Sequence, residues 1–162
     1  MSRTLIHKST KSYTYTAFKK IDGNHPLKQA VENIYVGYQA YIRQGGEVAY
    51  FNFELAKEMG LIPFSHPHQL NNALKKQILE TFSLQIINEY DIAYKTKIDA
   101  DLIKSNEYMA TRYLQIQHPN KQGKTSGDGR SIWNGCLKTR HGLWDISSCG
   151  TGATRLSPAT AN

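Results

Sequence analysis

The hydrophobic spacing changes character along the chain, and this change restricts the fold more than any other feature. Up to residue 82, apolar residues recur at intervals of three and four, as in amphipathic helices. The last third instead contains strand-like runs at 110–117, 131–137 and 143–148, separated by Gly-, Asn- and Lys-rich connections. Because strands follow the helices rather than alternating with them, the sequence predicts an α+β fold with a helical first part and an antiparallel sheet.

Three helices are expected in the first part. The longest begins at Pro26, a residue suited to a first helical position, and ends at Gly45-Gly46. Its apolar positions are Leu27, Ala30, Val31, Ile34, Tyr38, Tyr41 and Ile42. A second helix follows Asn52 and closes at Gly60. A third follows Pro67, with a stripe formed by Leu70, Ala73, Leu74, Ile78, Leu79 and Phe82.

Three shorter segments are harder to assign. Residues 12–18 alternate in character, with tyrosine at 13 and 15 between Ser and Thr residues, which is typical of a strand. Residues 84–87 and 91–94 are short apolar runs that we interpret as strands, although runs of this length also fit helices.

An excess of basic residues indicates an anionic partner. The chain of 162 residues contains 20 Lys and Arg against 13 Asp and Glu, a net charge of +7. This balance suits a nucleotide, a nucleic acid, an acidic lipid or an acidic protein without selecting among them. Because the chain has no acidic residue before Asp22, we divide it into a basic amino-terminal arm, 1–25, and one domain, 26–162.

The cellular location of the protein is predicted from its hydrophobic runs and from its basic amino-terminal residues. No apolar run approaches the roughly 20 residues that a membrane-spanning helix needs, so no membrane span is expected. The basic, acid-free start is shared with mitochondrial transit peptides, which leaves mitochondria as an alternative. Its strand-like alternation differs from their amphipathic helices, and the cytoplasm is therefore favoured.

The cysteines and histidines give no pattern that predicts a metal site. Cys136 and Cys149 are accompanied by no CxxC or Cys/His ligand set, and two cysteines are too few for a disulfide framework. This favours a reducing compartment. His66 and His68 flank Pro67 at a predicted helix start, where capping explains them better than metal binding.

The densest glycine motif lies between two predicted strands, at residues 123–130. Gly127 and Gly129 allow backbone amides to converge, and Arg130 can bind a phosphate through two parallel hydrogen bonds. The segment is not a Walker A loop, because His118 stands where the first glycine is required and a strand follows. The alternative is that Asp128-Gly129 is an ordinary hairpin turn.

A second glycine cluster follows the last predicted strand, where Gly150-Thr151-Gly152 comes after Trp144-Asp145. Two glycine turns at the ends of neighbouring strands are able to face one ligand. The alternative is a simple turn anchored by a buried Trp144.

Together these motifs resemble the nucleotide-binding segment of the selenoprotein-O-type protein adenylyltransferases. That family's pattern is a Gly-Asp-Gly-Arg loop followed by a Trp-acid-Leu-x-Leu-Lys-Gly-x-Gly strand and turn. Here the corresponding residues are 127–130 and 144–152, the latter followed by Thr154. Upstream, residues 53–61 are similar to the Asn-x-Glu-Leu-Ala-x-Glu-Leu-Gly-Leu stretch near that family's start.

The resemblance implies a protein-kinase-like amino-terminal lobe that binds ATP with Mg²⁺ and transfers AMP to Ser, Thr or Tyr hydroxyls of protein substrates. Carried over by position, Gly127, Gly129 and Arg130 would contact the nucleotide phosphates. Cys149 stands where the family has its ATP-contacting lysine. Either Arg155 or Lys138 therefore supplies the missing charge, or nucleotide binding is weakened or lost.

The family's metal ligands and catalytic Asp would lie downstream of these motifs and have no counterpart in the 162 residues. We therefore expect no catalytic residue here, and an incomplete lobe that does not transfer AMP alone. Two alternatives remain open. One is a non-catalytic basic module for nucleic acid or acidic partners, and the other is a pseudoenzyme that has lost its lysine.

Overall fold

Six short strands form two antiparallel sheets in the computed structural model, which describes residues 13–30, 35–111 and 131–154. The strands are β1 (Tyr35–Tyr38), β2 (Ala40–Ile42), β3 (Leu84–Ile86), β4 (Tyr108–Thr111), β5 (Ser131–Thr139) and β6 (Gly142–Cys149). The helices in the same residues are α1 (Leu27–Ala30), α2 (Phe53–Glu58), α3 (Asn72–Phe82) and α4 (Glu89–Ala93), with 3₁₀ helices at Thr16–Lys20 and Ala100–Leu102.

The larger sheet has the strand order β1-β4-β5-β6, and the smaller one pairs β2 with β3. All of these pairs are antiparallel. The strands β5 and β6 form a long hairpin in which Ser131 lies opposite Cys149 at one end and Thr139 opposite Gly142 at the turn. The predicted α+β class with an antiparallel sheet is therefore confirmed. The predicted strands at 131–137 and 143–148 are confirmed as well, whereas most of 110–117 lies outside the described residues.

The long helix predicted from Pro26 is wrong. Among the described residues of the predicted helix, only Leu27–Ala30 is helical, and Tyr35–Tyr38 and Ala40–Ile42 form β1 and β2. The reason is an alternation hidden within the three-and-four spacing, in which every second residue packs into one hydrophobic cluster: Val36, Tyr38, Ala40 and Ile42. Gly37 adds a second constraint, because a Cβ there would lie 2.5 Å from the Glu107 carboxylate. β-branched and aromatic side chains on such a half-buried surface favour strands.

The second and third predicted helices are confirmed, and local capping explains both. The Asn52 side chain accepts a hydrogen bond from the Leu55 N–H at 3.0 Å, and Gly60 follows α2 with a φ of +71°. Asn71 caps α3 in the same way, accepting from the Leu74 N–H at 2.8 Å. Capping at the start of α3 therefore comes from Asn71 and not from the histidines beside Pro67.

Two of the short segments differ from their predicted form. Residues 89–93 are helical because Asn88 and Asp91 cap each other's backbone N–H groups in a capping box. The chain around residue 16 forms a 3₁₀ helix instead of a strand. The segment 84–87 is correctly predicted as a strand. The part of the basic arm before residue 13 lies outside the described residues.

Two hydrophobic clusters hold the fold together. The first lies between the β5–β6 hairpin, α2, α3 and the first 3₁₀ helix, and its most buried members include Phe18, Ile21, Ile62 and Leu74. The second lies between β1, β2, β3, β4 and the start of β5 and includes Tyr108, Ile86 and Ile132.

A buried hydrogen-bond chain fixes the 3₁₀ segment to the start of α3. The Asn71 amide donates to the Tyr15 hydroxyl at 2.6 Å, and that hydroxyl donates to Nε2 of His66 at 2.9 Å. The other ring nitrogen, Nδ1, donates to the Pro67 carbonyl at 2.7 Å. Because a carbonyl only accepts, the proton of His66 lies on Nδ1. His66 is 2% exposed, so this buried polar group is satisfied without a metal.

Unlike Tyr15, Tyr108 has a buried hydroxyl without a hydrogen bond to any described residue. Its side chain is fully buried on β4, and its hydroxyl has no hydrogen-bond partner among the described residues. Burial, with a smaller contribution from the charge of Asp22, raises the pKa of this hydroxyl to about 12.

The same substitution is expected to have opposite effects at these two tyrosines. Tyr15→Phe leaves buried partners of the hydroxyl unsatisfied and should lower the free energy of unfolding by about 1–3 kcal/mol. Tyr108→Phe removes an unpartnered buried hydroxyl and should raise it by about 1 kcal/mol. Urea unfolding at neutral pH measures both, with exposed Tyr50→Phe as the control. Destabilisation of similar size in both variants would contradict this assignment.

Stability is also expected to fall at alkaline pH because of Tyr108. The unfolded tyrosine ionises near pH 10 and the folded one near 12, so the folded state retains the proton longer. The contribution of the protonated Tyr108 hydroxyl to the free energy of unfolding is fully present below pH 10. Up to about 3 kcal/mol of it is lost as the pH rises towards 12. Unfolding curves across this range should show a smaller loss for Tyr108→Phe than for the unmodified chain. Parallel curves would exclude Tyr108 as the cause.

Candidate nucleotide site

The β5–β6 hairpin pairs the residue that follows the first glycine motif with the residue that precedes Gly150 of the second. Ser131, which follows Arg130 in the chain, lies opposite Cys149, which precedes Gly150. The Ser131 hydroxyl donates to the Cys149 sulfur at 3.3 Å, and Cys149 is exposed. The start of one strand and the end of the next therefore form one solvent-facing edge.

Three of the four predicted nucleotide-binding residues, Gly127, Gly129 and Arg130, lie outside the described residues. Their place in the chain is nevertheless defined, because residues 112–130 connect β4 to β5. These two strands are paired, with Met109 opposite Trp133. The predicted phosphate loop is thus part of the connection between adjacent antiparallel strands.

The second glycine turn has distinct requirements at its two glycines. Gly150 has a φ of +76° and open space around it. Gly152 has a φ of +104°, and a Cβ there would lie 3.2 Å from the side chain of Ile86 on β3. The Ile86 N–H also donates to the Thr151 carbonyl at 2.9 Å. Close packing against β3 therefore explains Gly152, and Gly150 is the glycine that faces solvent.

Positive charge is scarce at this edge. The described residues 131–133 and 147–154 contain no Lys or Arg, and they contain no Asp or Glu able to hold Mg²⁺. Lys138 cannot replace the missing lysine, because it lies opposite Leu143, six residues along β6 from Cys149. That separation is about 20 Å at about 3.3 Å per residue. Arg155 lies outside the described residues.

A second group of reactive side chains lies on the middle of the hairpin, on the face opposite the first hydrophobic cluster. Cys136 and Asp145 are paired across β5 and β6, and His25 from the amino-terminal segment covers them. One ligand atom from each residue lies within 4.8 Å of the other two. No sequence pattern predicts this group, because His25 and Asp145 are 120 positions apart.

The hydrogen bonds of this group define its protonation. The Leu27 backbone N–H donates to Nδ1 of His25 at 3.1 Å, so the ring proton is on Nε2. Nε2–H then donates to Oδ1 of Asp145 at 3.0 Å, and the Cys136 thiol donates to the same oxygen at 3.5 Å. Trp133 packs against the imidazole with the ring centroids 4.8 Å apart.

His25, Cys136 and Asp145, which we call the trio, fit a hydrogen-bonded group better than a metal site. A metal on Nε2 would move the ring proton to Nδ1, where it would oppose the Leu27 N–H instead of finding an acceptor. The trio is not a Cys-His-Asp catalytic triad either, because Asp145 receives both protons and the thiol does not bond to the imidazole. Burial, followed by the hydrogen bond and charge of Asp145, raises the pKa of Cys136 and keeps it as a thiol.

Comparisons with known proteins add no family to these observations. No protein-family model matches the chain, and no curated protein or solved structure matches it significantly. Among the described residues, no helix has the length and apolar character to cross a membrane. The adenylyltransferase resemblance therefore depends on the ordered sequence motifs alone.

The trio is expected to stabilise the contact between the amino-terminal segment and the hairpin. His25 is 7% exposed, so Asp145→Ala leaves its Nε2–H without an acceptor. The free energy of unfolding should fall by about 1–3 kcal/mol, measured by urea unfolding. Asp101→Ala, at an exposed carboxylate in the second 3₁₀ helix, is the control and should change it by less than about 0.5 kcal/mol.

Equal losses in the two variants would contradict the role of the trio. A chelator provides a further check, because a structural metal would contribute stability that chelation removes. The unmodified chain should show the same unfolding midpoint with and without it.

Proposed function

We propose that the shared edge of the β5–β6 hairpin binds the phosphates of ATP, as the amino-terminal lobe of a protein adenylyltransferase. The observation that carries this proposal is the pairing of Ser131, the residue after the first glycine motif, with Cys149, the residue before Gly150. Neither motif is specific alone. Their convergence is what a phosphate site built from two glycine turns requires.

The strand connectivity adds support. In protein kinases a glycine-rich loop covers the ATP phosphates, and a lysine from the third strand contacts them. Here the connection containing Gly127 and Gly129 joins β4 to β5, and the lysine position is the last residue of β6. The three consecutive strands are neighbours in one sheet. The resemblance and the topology thus agree on which connection would lie over the phosphates.

The Trp-acid pair of the motif has a structural role in this chain. Trp144 packs against the first hydrophobic cluster, and its indole N–H donates to the Thr139 hydroxyl at 3.1 Å. Asp145 is engaged by His25 and Cys136 on the opposite face. This pair therefore orients β6 and leaves phosphate binding to the residues at its end.

The charge at the site would differ from that of the family. Cys149 has a hydrogen-bonded sulfur where the family has an ammonium group, so Arg130 is the cation proposed to hold the phosphates. The described residues of this edge provide no carboxylate for Mg²⁺. The proposal is consequently one of nucleotide binding by this lobe, and AMP transfer would need residues beyond those assigned here.

Calorimetric titration of the chain with ATP tests the proposal. Arg130→Ala should abolish saturable binding, because it removes the phosphate contact. Cys149→Lys should tighten binding about tenfold by restoring a charged contact worth about 1.4 kcal/mol. Arg140→Ala removes the same charge at the opposite end of the hairpin and serves as the matched control.

Binding that is absent from the unmodified chain and from Cys149→Lys would overturn the nucleotide assignment. Equal affinity in Arg130→Ala and Arg140→Ala would show that ATP binds through net charge instead of this site.

A further inference from the structure

A small cavity of about 340 Å³ lies at the turn end of the β5–β6 hairpin. The first 3₁₀ helix, the end of α2 and the end of β5 all contribute to its lining. The turn lies eight residues along β5 from Ser131, which is roughly 25 Å at about 3.3 Å per residue. This cavity, which we call the turn cavity, is therefore separate from the candidate nucleotide site.

The rim of the turn cavity is positively charged. Lys20, Lys138 and Arg140 line it and are exposed. Within the described residues, none of the three lies within 4.0 Å of a carboxylate. Lys57 also lines the cavity, but its ammonium contacts Glu54 at 3.3 Å and His68 at 2.7 Å. Three cations thus line one concavity without pairing to a carboxylate of the described residues, although the acidic Glu58 is also in the lining.

The floor of the turn cavity is apolar. It includes buried Leu137 and the partly buried Ala17 and Met59, which belong to or pack against the first hydrophobic cluster. At the edge, the Arg140 guanidinium lies 5.4 Å from the centre of the Phe64 ring, and that ring is 65% exposed. This contact holds Arg140 over the cavity and occupies one face of Phe64.

We infer that the turn cavity binds an acidic segment of a protein partner that inserts one apolar side chain between its carboxylates. The apolar floor suits the inserted side chain, and the three rim cations suit carboxylates on either side. A nucleic acid is a poorer match, because the Arg140 guanidinium occupies one face of Phe64, the exposed aromatic ring at the rim on which a base would stack. The inference does not depend on the nucleotide proposal.

The test uses the whole chain and a labelled synthetic peptide of Asp and Glu with one central Leu. Fluorescence anisotropy should show saturable binding that weakens about tenfold in the double variant Lys138→Glu/Arg140→Glu. The matched control is Lys75→Glu/Lys97→Glu, which changes net charge equally at two exposed lysines away from the cavity. It should bind within about twofold of the unmodified chain.

A second peptide, with Ala in place of the central Leu, tests the apolar floor and should bind several-fold more weakly. Thermal unfolding of both double variants checks that they fold, and Lys138→Gln/Arg140→Gln supplies a milder change if charge reversal perturbs the turn.

Three outcomes would overturn the inference. The first is no peptide binding at low salt, and the second is equal weakening in the two double variants. The third is displacement of the peptide by a single-stranded oligonucleotide with an affinity equal to or above that of the peptide, which would favour nucleic acid as the partner.

Discussion

The arrangement of the hairpin depends on one extra residue in β5. Trp133 pairs with Ser147 and Gly135 pairs with Ile146, so Asn134 is a bulge without an opposite residue. Without it, Ile132 and Leu137 would point to opposite faces of the strand, since they are five positions apart. With it, both are buried on one face, where they join the second and first hydrophobic clusters respectively. The bulge therefore allows one strand to contribute to both clusters.

The same bulge also anchors the amino-terminal segment. The Gly23 N–H donates to the Asn134 carbonyl, and the buried Asn134 amide donates to the Thr81 carbonyl near the end of α3. Gly135 has a φ of +150°, and a Cβ there would lie 3.3 Å from the Asn24 carbonyl oxygen. This close backbone packing holds His25 above Cys136 and Asp145. The trio is thus a consequence of the bulge, and its hydrogen bonds reinforce a position that backbone packing already defines.

Local signals predict part of this structure well. Asn52 and Gly60 correctly predict the two ends of α2, because a helix cap and a left-handed turn each depend on only a few neighbouring residues. The segment 35–42 was predicted incorrectly because its apolar residues fit both a helical and an alternating pattern, and only pairing with β4 and β3 selects the strands. The trio joins residues 120 positions apart, and the bulge at Asn134 is in contact with two distant parts of the chain, residues 21–24 and Thr81. No local pattern contains that information.

The motif residues at the candidate nucleotide site divide into those whose identity the fold explains and one whose identity it does not. Trp144, Asp145 and Gly152 are explained by packing and hydrogen bonding within the fold. These positions can retain the motif through the demands of the sheet alone, whatever the ligand. Cys149 is different, because its exposed side chain has no role in either hydrophobic cluster. A charged side chain at such a position would alter the electrostatics of the edge while leaving the hairpin intact. The residues that stabilise the hairpin are therefore distinct from the exposed residue that sets the charge at its end.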